Sequence, residues 1–192
     1  MAISIESEGT QKMAVLVEGI SVVVSCAAIS RSHSGGLAQF QYELPNKSFC
    51  ADGELACVRF MTPIDVHAYV KQLESRGLSH VRASAAAADL VIVDQLTGFR
   101  ADCDWAEFGM TSLKGDPQFP IAVCRALPSS VQQVSTPLGW TFETSLSAHG
   151  RFAPGNQLPP AVKFLRREAG IDVYLDETTG QELFVGRAQP PT

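Results

Sequence analysis

At 192 residues, with 45% hydrophobic and 18% charged positions, the chain carries enough apolar material for one well-buried core, which excludes a disordered polymer. Fifteen Lys and Arg against 20 Asp and Glu give a formal charge of −5, and no basic run is longer than Arg166-Arg167. This argues against nucleic acid as a partner, because displacing counterions needs a concentrated positive surface.

Residues 1–12 contain Glu6 and Glu8 and lack the basic start, apolar stretch and cleavage site of a signal peptide, so they read as a loose polar tail of a cytoplasmic protein. Met13 to Val17 is a short β-rich run, Glu18-Gly19 is able to turn, and Ile20 to Ala28 alternates, which predicts a hairpin. The apolar run Ile20 to Ile29 is far shorter than the roughly 20 residues of a membrane span, so no membrane is expected. Arg31 to Gly36 reads as a polar loop and Leu37 to Leu44 as a short helix stopped by Pro45. Lys47 to Cys50 and Glu54 to Phe60 flank Asp52-Gly53, a pair suited to the positive φ angles of a tight turn, and predict a second hairpin.

An amphipathic helix is expected over 62–77. Thr62 caps it, Pro63 takes the first helical position, Asp65 lies in the first turn and Gly77 closes it. Val66, Tyr69, Val70 and Leu73 form its apolar stripe. Asp89 to Asp94 has the unbroken apolar centre of a buried strand, and Trp105 to Met110, Ile121 to Ala126 and Gly139 to Leu146 are further strand candidates. Pro128 to Pro137 reads as a loop. Ala161 to Glu168, Ile171 to Asp176 and Glu182 to Gly186 predict a three-stranded meander that extends the main sheet, with a Pro-rich tail at 188–192. The result is an α+β fold with a largely antiparallel sheet, a single domain over 13–187 and a possible sub-boundary at 148–160. The helix-then-strand order of 62–94 is similar to a unit of glyoxalase-like metal enzymes but carries no diagnostic residue of theirs, so no family follows from it.

Motifs for chemistry are scarce. The five cysteines, Cys26, Cys50, Cys57, Cys103 and Cys124, are odd in number and scattered, a pattern of free buried thiols in a reducing compartment. No two of His33, His67, His80 and His149 have the spacing of a helical zinc motif, and Cys50 and Cys57 stand seven apart across a hairpin, so no metal or other cofactor is expected. Gly35-Gly36 lacks the context of a phosphate loop, and Arg166-Arg167 suits edge-strand protection.

The stretch Asp102-Cys103-Asp104-Trp105-Ala106-Glu107-Phe108 sets carboxylates beside an aromatic, the chemistry for a basic side chain of a partner. The same residues also suit a solvated loop that Trp105 and Phe108 anchor to the core. The expected function is a non-enzymatic binding protein that neutralises or regulates a protein with a basic surface, like a toxin-immunity or adaptor protein, through Asp102, Asp104, Trp105 and Glu107. The alternative is a small-molecule enzyme or sensor, metal-dependent in one version, with a pocket between helix and sheet that draws on His33, His67, Asp94 and Glu107.

Overall fold

The computed structural model describes residues 13–128, 133–148, 151–152, 158, 160–168 and 171–186. The fold is α+β. A five-stranded sheet, order β3-β4-β2-β5-β6, is built from β2 (Ile20–Ser25), β3 (Cys50–Ala51), β4 (Leu55–Phe60), β5 (Leu90–Asp94) and β6 (Gly98–Phe99). A four-stranded sheet, order β7-β8-β1-β9, holds β1 (Met13–Val17), β7 (Ala106–Ser112), β8 (Pro120–Ala126) and β9 (Gln133–Ser135). A C-terminal sheet, order β10-β13-β12-β11, comprises β10 (Arg151–Phe152), β11 (Val162–Glu168), β12 (Ile171–Asp176) and β13 (Gln181–Gly186). Among the described residues the pairings are antiparallel except β1 with β9 and β10 with β13.

Three helices, α1 (Cys26–Ser32), α2 (Gly36–Tyr42) and α3 (Pro63–Ser75), accompany the five-stranded sheet. The register assigns its two faces. Val22, Val24, Ala56, Val58 and Leu90 share one face and pack with Val66, Tyr69, Val70 and Leu73 of α3 and with Ile29 and Phe40. Val23, Cys57 and Val91 share the other and pack with Val15 and Cys124 of the four-stranded sheet. The layers are therefore helices, five-stranded sheet, four-stranded sheet. Each fully buried Val or Leu along them stabilises by roughly 1.5–3 kcal/mol.

The best-signalled elements form where the sequence puts them. Thr62 Oγ1 accepts the Asp65 N–H at 3.2 Å, and Gly77 closes α3 at φ +91°. The Asp52-Gly53 hairpin joins β3 to β4, α2 stops before Pro45, and β11–β12–β13 form the meander. β5 is an inner strand, paired with β2 and β6.

Five expectations are corrected. β1 and β2 do not pair with each other: Gly19, at φ +60°, turns the chain into a different sheet, and its N–H donates to Gln95 Oε1 at 2.8 Å. A Cβ on Gly19 would lie 2.6 Å from the Phe60 carbonyl oxygen, so only glycine fits there. Cys26 to Ala28 are helical because the partners of β2 run out at Ser25, opposite Leu55, and the Ala-rich chain then coils into α1, which shortens the expected loop at 31–36. Within 128–137, Gln133–Ser135 forms β9, parallel to β1. Gly139 to Leu146 is not a strand: Gly139 is left-handed at φ +76° and Phe142–Thr144 is a 3-10 turn. The meander does not extend the main sheet; it pairs with β10 in a sheet of its own. The expected tails at 1–12 and 188–192, most of the 148–160 boundary and His149 lie outside the described residues.

Candidate functional site

The acidic stretch enters β7. Asp102 is exposed, and Asp104 takes two hydrogen bonds from the Arg82 guanidinium, at 2.7 and 3.2 Å, which hold its carboxyl below the usual range. Glu107 faces Arg125 directly across the β7–β8 ladder and accepts from its Nε at 3.0 Å. Three carboxylates against two guanidiniums leave a local formal charge of −1 instead of −3. Trp105 is half-buried against the core between the sheets, with its indole N–H buried and without an acceptor in the structure. The four residues thus lie along one strand entry, but the expected acidic surface is largely neutralised by its own arginines.

A larger feature continues from them. Phe108 packs on Gly98 and Phe99 of the five-stranded sheet, and in register it shares a face with Cys124 and Val15. Glu107, Gly109, Thr111, Val123 and Leu16 therefore share the opposite, outer face of the four-stranded sheet. Two hollows lie over it. One, of about 880 Å³, is lined by Thr111, Lys114, Val134, Thr136, Trp140 and Phe142, and the other, of about 300 Å³, by Glu107, Gly109, Met110, Thr111, Val123 and Arg125. Thr111 lines both, so they adjoin at β7, and the larger one reaches Val134 and Thr136 at the β9 edge of the sheet. In its lining the Phe142 ring meets Phe119 edge-on at 4.9 Å, and the chain turns between β7 and β8 through left-handed Lys114 (φ 52°) and Gly115 (φ +77°).

Segment 139–147 is held at the larger hollow by Glu18. This buried carboxylate accepts from Arg59, from Trp140 Nε1 at 3.2 Å, and from the Ser147 N–H and hydroxyl at 3.1 and 2.7 Å. A further cavity of about 460 Å³ lies behind it, where Glu18 and Arg59 meet Phe60, Met61, Leu146 and Phe184 of β13. Nothing local in the sequence marks Glu18; its partners lie 41 to 129 residues away.

The α3 stripe packs on the sheet face where the alternative reading puts a pocket, and the polar groups named for it lie on separate elements. His33 ends α1, His67 is exposed on α3, and Asp94 is buried at the end of β5, where it caps Leu96 and Thr97 and pairs with Arg100 at 2.7 Å. Among the described residues no three His, Cys, Asp or Glu side chains are grouped to hold a metal ion, and no helix is long and apolar enough to cross a membrane. Arg166 and Arg167 lie on β11, an edge strand, and pair with Glu182 and Asp172. Comparison with protein-family models, with curated proteins and with solved structures finds no match to this chain.

Proposed function

We propose that this is a binding protein that neutralises or regulates a protein partner, in the manner of a toxin-immunity or adaptor protein, and that an extended segment of the partner lies across the two hollows that meet at β7. The observation that carries the reading is that two hollows meet at Thr111, one beside the Glu107–Arg125 pair and one reaching from β7 to Val134 and Thr136. Two adjoining hollows suit an extended chain better than a compact ligand, because successive side chains then meet successive hollows. Trp140 and Phe142 supply apolar anchors, while Thr111, Thr136 and the Glu107–Arg125 pair offer polar contacts at the rim. Asp102, Asp104 and Trp105 continue the line at the start of β7, where Asp102 remains free to meet a basic side chain. Because Arg82 and Arg125 offset two of the carboxylates, the attraction depends on shape more than on net charge.

Gly109→Trp is the test. A Cβ at Gly109 meets nothing within 4 Å and its φ is not left-handed, so an indole there fills the smaller hollow without disturbing the core. Tagged protein is used to capture a partner from lysate of the source cells at low salt, and the partner is identified by mass. The expected result is a single protein in fixed ratio whose affinity falls about tenfold or more in Gly109→Trp, with an unchanged melting temperature. Undiminished capture by the variant would remove the hollows from the interface, and no stoichiometric protein would remove the reading itself.

A further inference from the structure

Cys50 and Cys57 are directly opposed across the β3–β4 ladder. Both thiols are buried, and both donate to one acceptor, the Leu16 carbonyl of β1, at 4.0 Å from Cys50 and 3.4 Å from Cys57. Opposed residues in an antiparallel pair have Cα atoms about 4.5–5.5 Å apart, inside the span of about 4.4–6.8 Å that a disulfide bridges. We infer that Cys50 and Cys57 form a reversible dithiol–disulfide couple, oxidised by a small hydroperoxide to a cross-strand disulfide and restored by a dithiol reductant.

The chemistry balances on these two sulfurs. The Cys50 thiolate attacks a peroxide oxygen, the O–O bond breaks, and the other oxygen leaves as alcohol or water. Cys57 sulfur then attacks the resulting Cys50 sulfenic acid; the S–O bond breaks, the S–S bond forms, and hydroxide leaves as water with the Cys57 proton. Two electrons from the sulfurs reduce one hydroperoxide. The roles follow the positions: Cys50 lies on the edge strand β3, where the oxidant arrives, and Cys57 on the inner strand β4. In keeping with this, the neighbouring Cys57 thiol and the Arg59 guanidinium lower the Cys50 thiol against the opposing effect of burial, while its Cys50 neighbour and burial raise Cys57. Burial also pushes Cys26 up to about 11 and raises Cys124.

Access comes from the edge. β3 has two residues, lies at the border of its sheet and leads into exposed Gly53 and Glu54, so this hairpin opens at a lower free energy than the core strands and admits an oxidant as small as hydrogen peroxide. Cross-strand Cβ atoms stand about 4.5–5.5 Å apart, whereas a disulfide draws them to about 3.8 Å. Closing the bond therefore strains the hairpin, and a strained disulfide is readily reduced.

The folded protein is exposed to hydrogen peroxide, quenched with catalase, unfolded in iodoacetamide, digested, and read by tandem mass spectrometry. The expected result is loss of the alkylation adducts on Cys50 and Cys57, one linked species lighter by two hydrogens, and recovery of both adducts after dithiothreitol. In Cys57→Ser, checked for folding by circular dichroism, dimedone labels Cys50 instead. Cys50→Ala provides the same check from the other side, since no linked species forms. Full alkylation of both cysteines at an exposure that oxidises half-buried Cys103 would overturn the inference, as would sulfinic acid at Cys50 in place of the linkage.

Discussion

Glu18→Gln isolates what holds segment 139–147 in place. The Glu18 side chain is 6% exposed and that of its partner Arg59 13%, so the substitution keeps the volume but leaves a guanidinium buried without its counter-charge. Breaking a buried pair from one side costs about 3–5 kcal/mol. Trp140 Nε1 and the Ser147 N–H and hydroxyl also converge on the two carboxylate oxygens. A glutamine presents one oxygen and one NH₂, so a donor there faces a donor, which belongs to the same disruption and puts the expected loss near the middle of that range, about 4 kcal/mol. With a urea m-value of about 2 kcal/mol/M, the unfolding midpoint falls by about 2 M. The assay is urea unfolding followed by tryptophan fluorescence, where Trp140 reports the segment directly and Trp105 the core between the sheets. The double variant Glu18→Gln/Arg59→Met should recover the part of the loss that comes from the unpaired guanidinium, while the donor facing a donor at position 18 persists. A loss below about 1 kcal/mol for Glu18→Gln, or a double variant as unstable as the sum of the singles, would refute the argument.

Thr62→Ala removes the acceptor of the Asp65 N–H and should cost about 1 kcal/mol, seen as faster hydrogen exchange in the first turn of α3. Gly19→Ala places a methyl against the Phe60 carbonyl at a left-handed position and should lower stability by more than about 1 kcal/mol in denaturant titration. Acid should loosen the β12–β13 turn: hydrogen bonds from Thr179 and Thr178 hold the Asp176 carboxyl below its usual value of 3.8. A carboxyl lowered on folding stabilises above the unfolded value, and that contribution disappears as pH falls through the folded one. Amide protection at 176–180 should therefore drop first below about pH 4, and Asp176→Asn should flatten that dependence.

Elements whose instructions are local were readable from the residues alone. Thr62, Pro63, Asp65 and Gly77 carry cap, start and stop for α3 within sixteen positions, and Asp52-Gly53 and Glu177 to Gly180 specify turns whose flanking strands meet by default. The acidic line at 102–107 was visible as composition, but its neutralisation was not, since Arg82 and Arg125 come from other elements. Likewise Cys50 and Cys57 were recognisable as hairpin cysteines, whereas their shared contact with Leu16 needed the second sheet.

Composition and local spacing by themselves determined the α+β class, the main helix, the tight hairpins and the absence of any familiar catalytic motif. Tertiary structure alone decided that β1 and β2 part company, that the segment carrying Trp140 lines a hollow and is not a strand, and that two hollows meet at Thr111 of β7. The physical reason is range. A cap or a turn is satisfied by neighbours a few residues away, but a strand edge and a buried carboxylate such as Glu18 take whichever distant partner the packed layers bring to them.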